Sequence, residues 1–315
     1  EFNYEKSFLY DWKNPKVNNK IAVIYASGQI VEGKSKISPF GGKISMGAET
    51  IVARLKVAGK DPRVKAIVLR VDSPGGSAFA SDMIWHEIEN IVHPKKKSKA
   101  KPVVVSMGNL AASGGYYISC NADYIYAEEN TLTGSIGIFG ATISIEKMLK
   151  KIHIDTDSLT TDPNAIYQFA FNNPSDEAKE FFHKTITTGY KSFITKVAKG
   201  RKMKLSEVDS IGQGRIWIAK DAKEIGLVDG IGGLDKAIKK AGKLAKIGNV
   251  KNVSIQPYPS AGFGIEMPFM NFVSHKVFSK YPLISEVGEK YYSYRLYSDG
   301  GNLILLPFEQ YEFSE

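Results

Sequence analysis

At 315 residues the chain has the length of one large domain or two ordinary ones, with ample material for a buried core. Its 43% hydrophobic and 24% charged residues exclude a disordered, collagen-like or disulfide-stapled chain, and the single Cys120 cannot form an internal bridge. The net charge of +9 admits an anionic partner such as a phospholipid surface, but much of it sits in one run, Lys95, Lys96, Lys97, Lys99 and Lys101, without interleaved aromatics. That run reads as a solvated loop and gives no case for nucleic acid.

No segment reaches the roughly 18 uninterrupted apolar residues of a membrane span. The start, Glu1-Phe2-Asn3-Tyr4, has neither a methionine nor a signal-peptide pattern, so the chain reads as processed or cut from something longer. Residues 1–20 are polar and aromatic and read as an arm or linker. Short apolar runs follow at Ile21–Tyr25, Ala66–Val71, Val103–Val105 and Tyr124–Ala127, each too short for a buried helix and therefore read as strands. Between them, Ile51, Leu55 and Ala58, then Ile84, Ile88 and Ile91, recur at helical spacing. This alternation predicts an α/β fold with a largely parallel sheet. A long helix is expected after Asn173-Pro174-Ser175, with Phe182, Ile186, Phe193 and Val197 on one side, and another carrying Leu234, Ala237, Ile238, Ala241 and Leu244. From about Lys251 the composition turns to Pro, Phe, Tyr and Ser, with strands expected at Val253–Gln256 and Asn302–Leu306. The domain reading is an arm at 1–20, a core at 21–247 and an extension at 248–315 for packing or oligomerisation. Within that extension, residues 262–278 are apolar but broken by Gly and Pro, which suits an interfacial segment or ordinary core.

Two glycine-rich turns each follow a strand-like run and precede a helical pattern. The first is Asp72-Ser73-Pro74-Gly75-Gly76-Ser77, where adjacent glycines can turn tightly and present bare N–H groups to an anion. No Gly-Lys-Ser/Thr follows, so it is not a nucleotide-binding loop, and it can also be a plain strand-to-helix turn. The second runs from Met107 to Tyr117 and places Ser113 between small residues and two glycines, a setting in which a hydroxyl can be exposed beside N–H donors. The literal G-x-S-x-G pattern is missing, and a serine in such a turn can equally be a helix N-cap. Asp72, at a strand end, reads as a cap of the turn it begins.

With Gly76 and Ser113 37 residues apart, the blocks VLRVDSPGGS, PVVVSMGNLAASGGYYIS, TLTGSIGIFG (Thr131–Gly140) and GRIWIAKDAKEIGLVDGIGGLDKA (Gly214–Ala237) resemble the peptidase family of signal peptide peptidase A, and beyond it the Clp protease and crotonase superfamily. The resemblance covers about residues 20–247, and the chain looks most like the carboxy-terminal half of the long, tandem-domain form. It implies a crotonase/Clp-like spiral of ββα units. It also implies Ser113 as nucleophile, the Gly76 and Gly114 N–H groups as oxyanion hole, Gly75 shaping the turn beside the substrate, and Ser135 orienting a lysine base.

In the short enzymes of that family the lysine falls in the segment matching Thr160–Ile166, which here contains none. Lys147, Lys150, Lys151, Lys179 and Lys184 flank it but read as solvated helix surface. No general base lysine is identified in this chain. In the tandem enzymes the amino-terminal half supplies it. A Clp-type histidine would stand at Ile138, and His86, His93, His153, His183 and His275 show no ligand spacing, so neither a histidine base nor a metal site is expected. No cofactor is called for. The resemblance implies an apolar peptide substrate, such as cleaved signal peptides at the periplasmic face of a bacterial inner membrane. It further implies an absent amino-terminal half, contact with the membrane surface and a homo-oligomer, a tetramer being one form. The alternatives are a non-catalytic scaffold half and, third, a crotonase-like acyl-CoA enzyme, against which the lack of acidic residues near Ser113 argues.

Overall fold

The structure, a computed structural model, describes residues 19–35, 45–96, 99–141, 143–157 and 173–247, positions 159, 161 and 171, and the backbone of 254–257. Everything structural below concerns these residues. The arm up to residue 18, residues 160 and 162–166 of the lysine-free segment, the 262–278 segment, His275 and the Asn302–Leu306 strand lie outside them.

Apolar runs become the inner strands. Strands β1 (Lys20–Ser27), β4 (Val64–Ser73), β5 (Val103–Ala112) and β6 (Tyr124–Ala127) lie parallel in that order, with β9 (Gly230–Ile231) beyond β6 and β10 (Ser254–Pro257) beyond β1. Successive side chains of a strand face opposite ways, so both faces of β4 and β5 must be apolar to be covered on both sides. Ile67, Leu69, Val71, Val103, Val105 and Met107 enter the larger core, under helices α1 (Ala48–Lys60) and α2 (Ala78–Val92). Ala66, Val68 and Val104 enter a smaller core on the other face, closed by Ala237, Ile238 and Ala241 of helix α8 (Leu234–Leu244). Each fully buried Leu or Ile contributes roughly 1.5–3 kcal/mol, and this two-sided burial holds the sheet. The result is the crotonase/Clp-like α/β architecture.

The predicted elements that fall within the described residues appear, with one difference in a strand's extent and one in the lysine run. Strand β5 continues to Ala112, well into the segment that reads as a turn from Met107 onward, because its far end finds a second partner. That partner is β7 (Leu132–Gly134), which pairs in parallel with Leu110–Ala112 and antiparallel with β8 (Ile216–Ile218). Lys101 also departs from the solvated-loop reading. Its Nζ donates to the carbonyls of Ala58 at 3.0 Å and Asp61 at 2.6 Å, clamping the end of α1, and burial lowers its pKa. Lys95, Lys96 and Lys99 are exposed, as that reading expects.

Two short strands, β2 (Gln29–Val31) and β3 (Ser45–Gly47), form a separate parallel pair, and Ile30 of β2 bridges to Gly76. The longest helix, α5 (Asp176–Arg201), buries Phe193 and Val197 but carries Phe182 and Ile186 half-buried toward the ends of the strands. Its last turn is fixed by Arg201, whose guanidinium meets the Asp229 carboxylate at 2.7 and 3.0 Å. Helices α6 (Leu205–Ile211) and α7 (Ala219–Glu224) flank β8. Two further short helices are α3 (Gly114–Tyr117) and α4 (Glu146–Lys151).

Candidate active site

The two glycine turns meet at the carboxyl ends of β4 and β5. Pairing between these strands shifts register, so that Val71 faces Met107 while Ser73 faces Ala111. Asp72 fills the irregularity: its carboxylate accepts the Leu110 N–H at 3.2 Å and packs against Gly108, where a methyl group would stand 3.0 Å from the carboxyl carbon. Asp72 is therefore a brace of the strand, as its position at the strand end suggests.

Ser113 leaves β5 with φ 53° and ψ −118°, in the left-handed region that a serine occupies only under constraint. Its N–H donates to Gly134 O at 2.9 Å, so β7 holds the turn. The residue stands at the N-cap of α3 yet makes no side-chain capping bond. Ser77 and Ser175 behave differently: each caps its helix, accepting from Ala80 N at 3.2 Å and from Ala178 N at 3.1 Å. The capping explanation for Ser113 is thereby removed, and among the described residues its hydroxyl has no hydrogen-bond partner.

The Asp72–Ser77 turn is pressed against this serine. A methyl group on Gly75 would lie 2.7 Å from Gly114 N and 2.8 Å from Ser113 Cβ, and Gly75 has φ 100°, so only glycine fits. The Gly75 carbonyl accepts Ile30 N–H at 2.8 Å, and Ser77 N–H donates to Ile30 O at 2.9 Å. Because carbonyl and N–H of a trans peptide point in opposite directions, the Gly76 N–H is directed away from β2. Gly75 N–H is bound to Ser73 Oγ at 3.1 Å, whereas those of Gly76 and Gly114 have no partner among the described residues. Two unpartnered N–H groups thus flank the Ser113 turn.

Gly75, Gly76, Ser113 and Ser135 line an open cleft of about 910 Å³, walled by Ile138, Phe139, Ile186 and Tyr190. Ser135 also has positive φ, 47°, and its N–H is tied to Arg215 O at 2.7 Å through the β7–β8 pair. Tyr190 donates to Asp209 Oδ1 at 2.6 Å and accepts Gln213 N–H at 3.2 Å; burial, then its bond to Asp209, raises its pKa. It stays protonated and engaged, and it is a cleft residue that the pattern reading does not single out.

No lysine or histidine lines the cleft among the described residues. Lys147, Lys150, Lys151, Lys179 and Lys184 are exposed, with Lys150 bound to Glu146 and Lys179 to Asp176, each at 2.7 Å. His86, His93, His153 and His183 are exposed too. Cys120 is buried behind α3, with its thiol pushed up to about 12 by desolvation.

The Clp-like α/β sheet presents a strained serine in one glycine turn, packed against a second, and sequence comparison carries the assignment further. The family model described as peptidase family S49 matches residues 95–248, and that described as Clp protease matches residues 33–124. Protease 4 of Salmonella typhi is 43% identical over 250 residues, 78% of this chain and 38% of that protein. A putative signal peptide peptidase SppA of Enterococcus faecium is 31% identical over 73% of this chain and 65% of its own length. A putative protease of Synechocystis is 30% identical over 65% of this chain and 72% of its own length. The chain belongs to peptidase family S49. It spans little more than a third of the Salmonella protein's length.

Proposed function

We propose that this chain carries the nucleophile of a serine-lysine peptidase whose base is supplied by an amino-terminal half. The observation that carries the reading is Ser113: strained, facing the cleft, not used as a cap, and flanked by two unpartnered N–H groups. Ser113 Oγ attacks the peptide carbonyl carbon as its proton passes to a neutral lysine amine. The tetrahedral oxyanion is held by Gly76 and Gly114 N–H, each donor contributing roughly 3–4 kcal/mol in comparable sites. Collapse expels the amine, which takes the proton from the lysine, and leaves an acyl-enzyme that water hydrolyses by the same route. Ser135 orients the lysine, which burial must keep neutral.

The apolar wall of Ile138, Phe139 and Ile186 supports an apolar peptide substrate, read by resemblance as signal peptides left at the membrane. A peptide laid along the Gly75–Gly76 turn would be held by backbone pairing. Periplasmic placement, contact with a membrane surface and a homo-oligomer belong to the same reading. Among the described residues no helix is long and apolar enough to cross a membrane.

The second reading, a non-catalytic scaffold half, draws on the lack of a lysine or histidine in the described cleft. Labelling by a fluorophosphonate probe separates the two. The expected result is labelling when this chain is mixed with the matching amino-terminal half, lost in Ser113→Ala. Labelling of the isolated chain means that a base is already present. No labelling of a properly assembled mixture favours the scaffold.

A further inference from the structure

We infer that Ser73 is the positioning residue of the oxyanion hole; the inference rests on Ser113 being the nucleophile. Ser73 is the last residue of β4 and completely buried, yet it carries a polar side chain. Burial of a hydroxyl is unfavourable unless both its donor and acceptor capacities are used. Here both are: Oγ donates to Gly28 O at 2.6 Å and accepts Gly75 N–H at 3.1 Å.

The two bonds tie the glycine turn to the end of β1. Gly28 N–H in turn donates to Asp72 O at 2.9 Å, so the β1 terminus and the turn are locked reciprocally. The hydroxyl also takes up the Gly75 N–H, which would otherwise be left buried without a partner. It fixes one side of the Gly75 residue while Ile30 fixes the carbonyl on the other. With both sides held, the orientation of the next N–H, that of Gly76, is set before substrate arrives. This is the preorganisation that an oxyanion donor needs. Loss of the hydroxyl leaves the Gly75–Gly76 peptide held from the Ile30 side alone, and the aim of the Gly76 donor loosens.

The test uses the complete enzyme, both halves present, with an apolar fluorogenic peptide. Ser73→Cys keeps the shape of the side chain with a somewhat larger atom and a poorer hydrogen-bonding group, and Ser73→Ala removes the group. The expected result is a fall in kcat of about 10-fold for Cys and about 100-fold for Ala, in line with loss of much of one oxyanion donor. KM should stay within about twofold, and fluorophosphonate labelling should slow in parallel with kcat. Unchanged kcat in the folded Cys variant overturns the inference, as does a loss in both variants that appears in KM or in melting temperature alone. Ser113→Ala is the parallel control: if it retains hydrolysis, the nucleophile assignment fails and this inference with it. If it abolishes hydrolysis while Ser73→Cys and Ser73→Ala do not slow it, only the inference fails.

Discussion

Gly75 and Ser113 touch through a gap too narrow for any side chain: a methyl group on Gly75 would stand 2.8 Å from Ser113 Cβ, and the nearby backbone N of Gly114 leaves no second way out. Gly75→Ala must therefore push the two turns apart while straining its own φ of 100°. We expect fluorophosphonate labelling of the assembled enzyme to be lost and stability to fall by roughly 1–3 kcal/mol. Chemical denaturation and labelling of the same preparation check both, and wild-type labelling would refute the close approach.

Gly76→Ala makes a related demand on another neighbour. Its methyl group would lie 2.0 Å from Ile30 O, a backbone atom that cannot rotate aside, so the bridge between β2 and the turn has to open. The expected outcome is loss of labelling with the main sheet intact, seen as unchanged far-ultraviolet circular dichroism.

Tyr190→Phe removes a hydroxyl that joins α5 to Asp209 and Gln213 at the cleft wall. Asp209 can turn to water, so the cost should be modest, about 1 kcal/mol, or a few degrees of melting temperature. A loss larger than about 3 kcal/mol would mean that the network carries more of the fold than its geometry implies.

The turn at Ser113 was legible from sequence as a glycine pair after a strand-like run, though not its strain or its freedom from capping, and the four inner strands were legible as short apolar runs. Strands β2, β3, β7 and β8 were not, since three residues carry no periodicity and their pairing is set by tertiary contact. Ser73 and Tyr190 escaped for a different reason. A serine or tyrosine acquires a role only from which backbone atoms the fold brings within about 3 Å, and nothing local to the chain encodes Gly28 O or Gln213 N. Lys101 reads like the lysines before it until α1 lays two carbonyls beside it.

Cys120 should be silent toward thiol reagents in the native protein. Its thiol is fully buried and, by desolvation, pushed up to about 12, so at about pH 8 almost none is thiolate. Labelling by iodoacetamide should require denaturant, and rapid reaction of the folded chain would contradict the packing of α3.

Stability toward acid should depend on Glu89. Burial works to raise its pKa, but hydrogen bonds from Lys199 at 2.6 Å and Asn121 at 3.2 Å, with the charge of Lys199, leave it below the ordinary 4.5. A carboxylate with a lowered folded pKa stabilises fully above its unfolded value, and that contribution fades as pH falls through the folded one. Glu89→Gln should therefore cost up to about 1 kcal/mol near neutrality and nothing at the acid end, where the two curves of unfolding free energy against pH converge. Parallel curves would show that the ion pair makes no contribution.

The pairing of Ser254–Pro257 with Lys20–Val23 has a bearing on handling the protein. Those four residues shield the outer margin of β1, whose amides and carbonyls would otherwise stand open in a row of aliphatic side chains. A version shortened to the end of α8 would expose an adhesive strip able to capture exposed strand edges of other molecules. Such a fragment should keep its interior and lose its solubility, so turbidity, not loss of secondary structure, is the symptom to watch when the tail is trimmed.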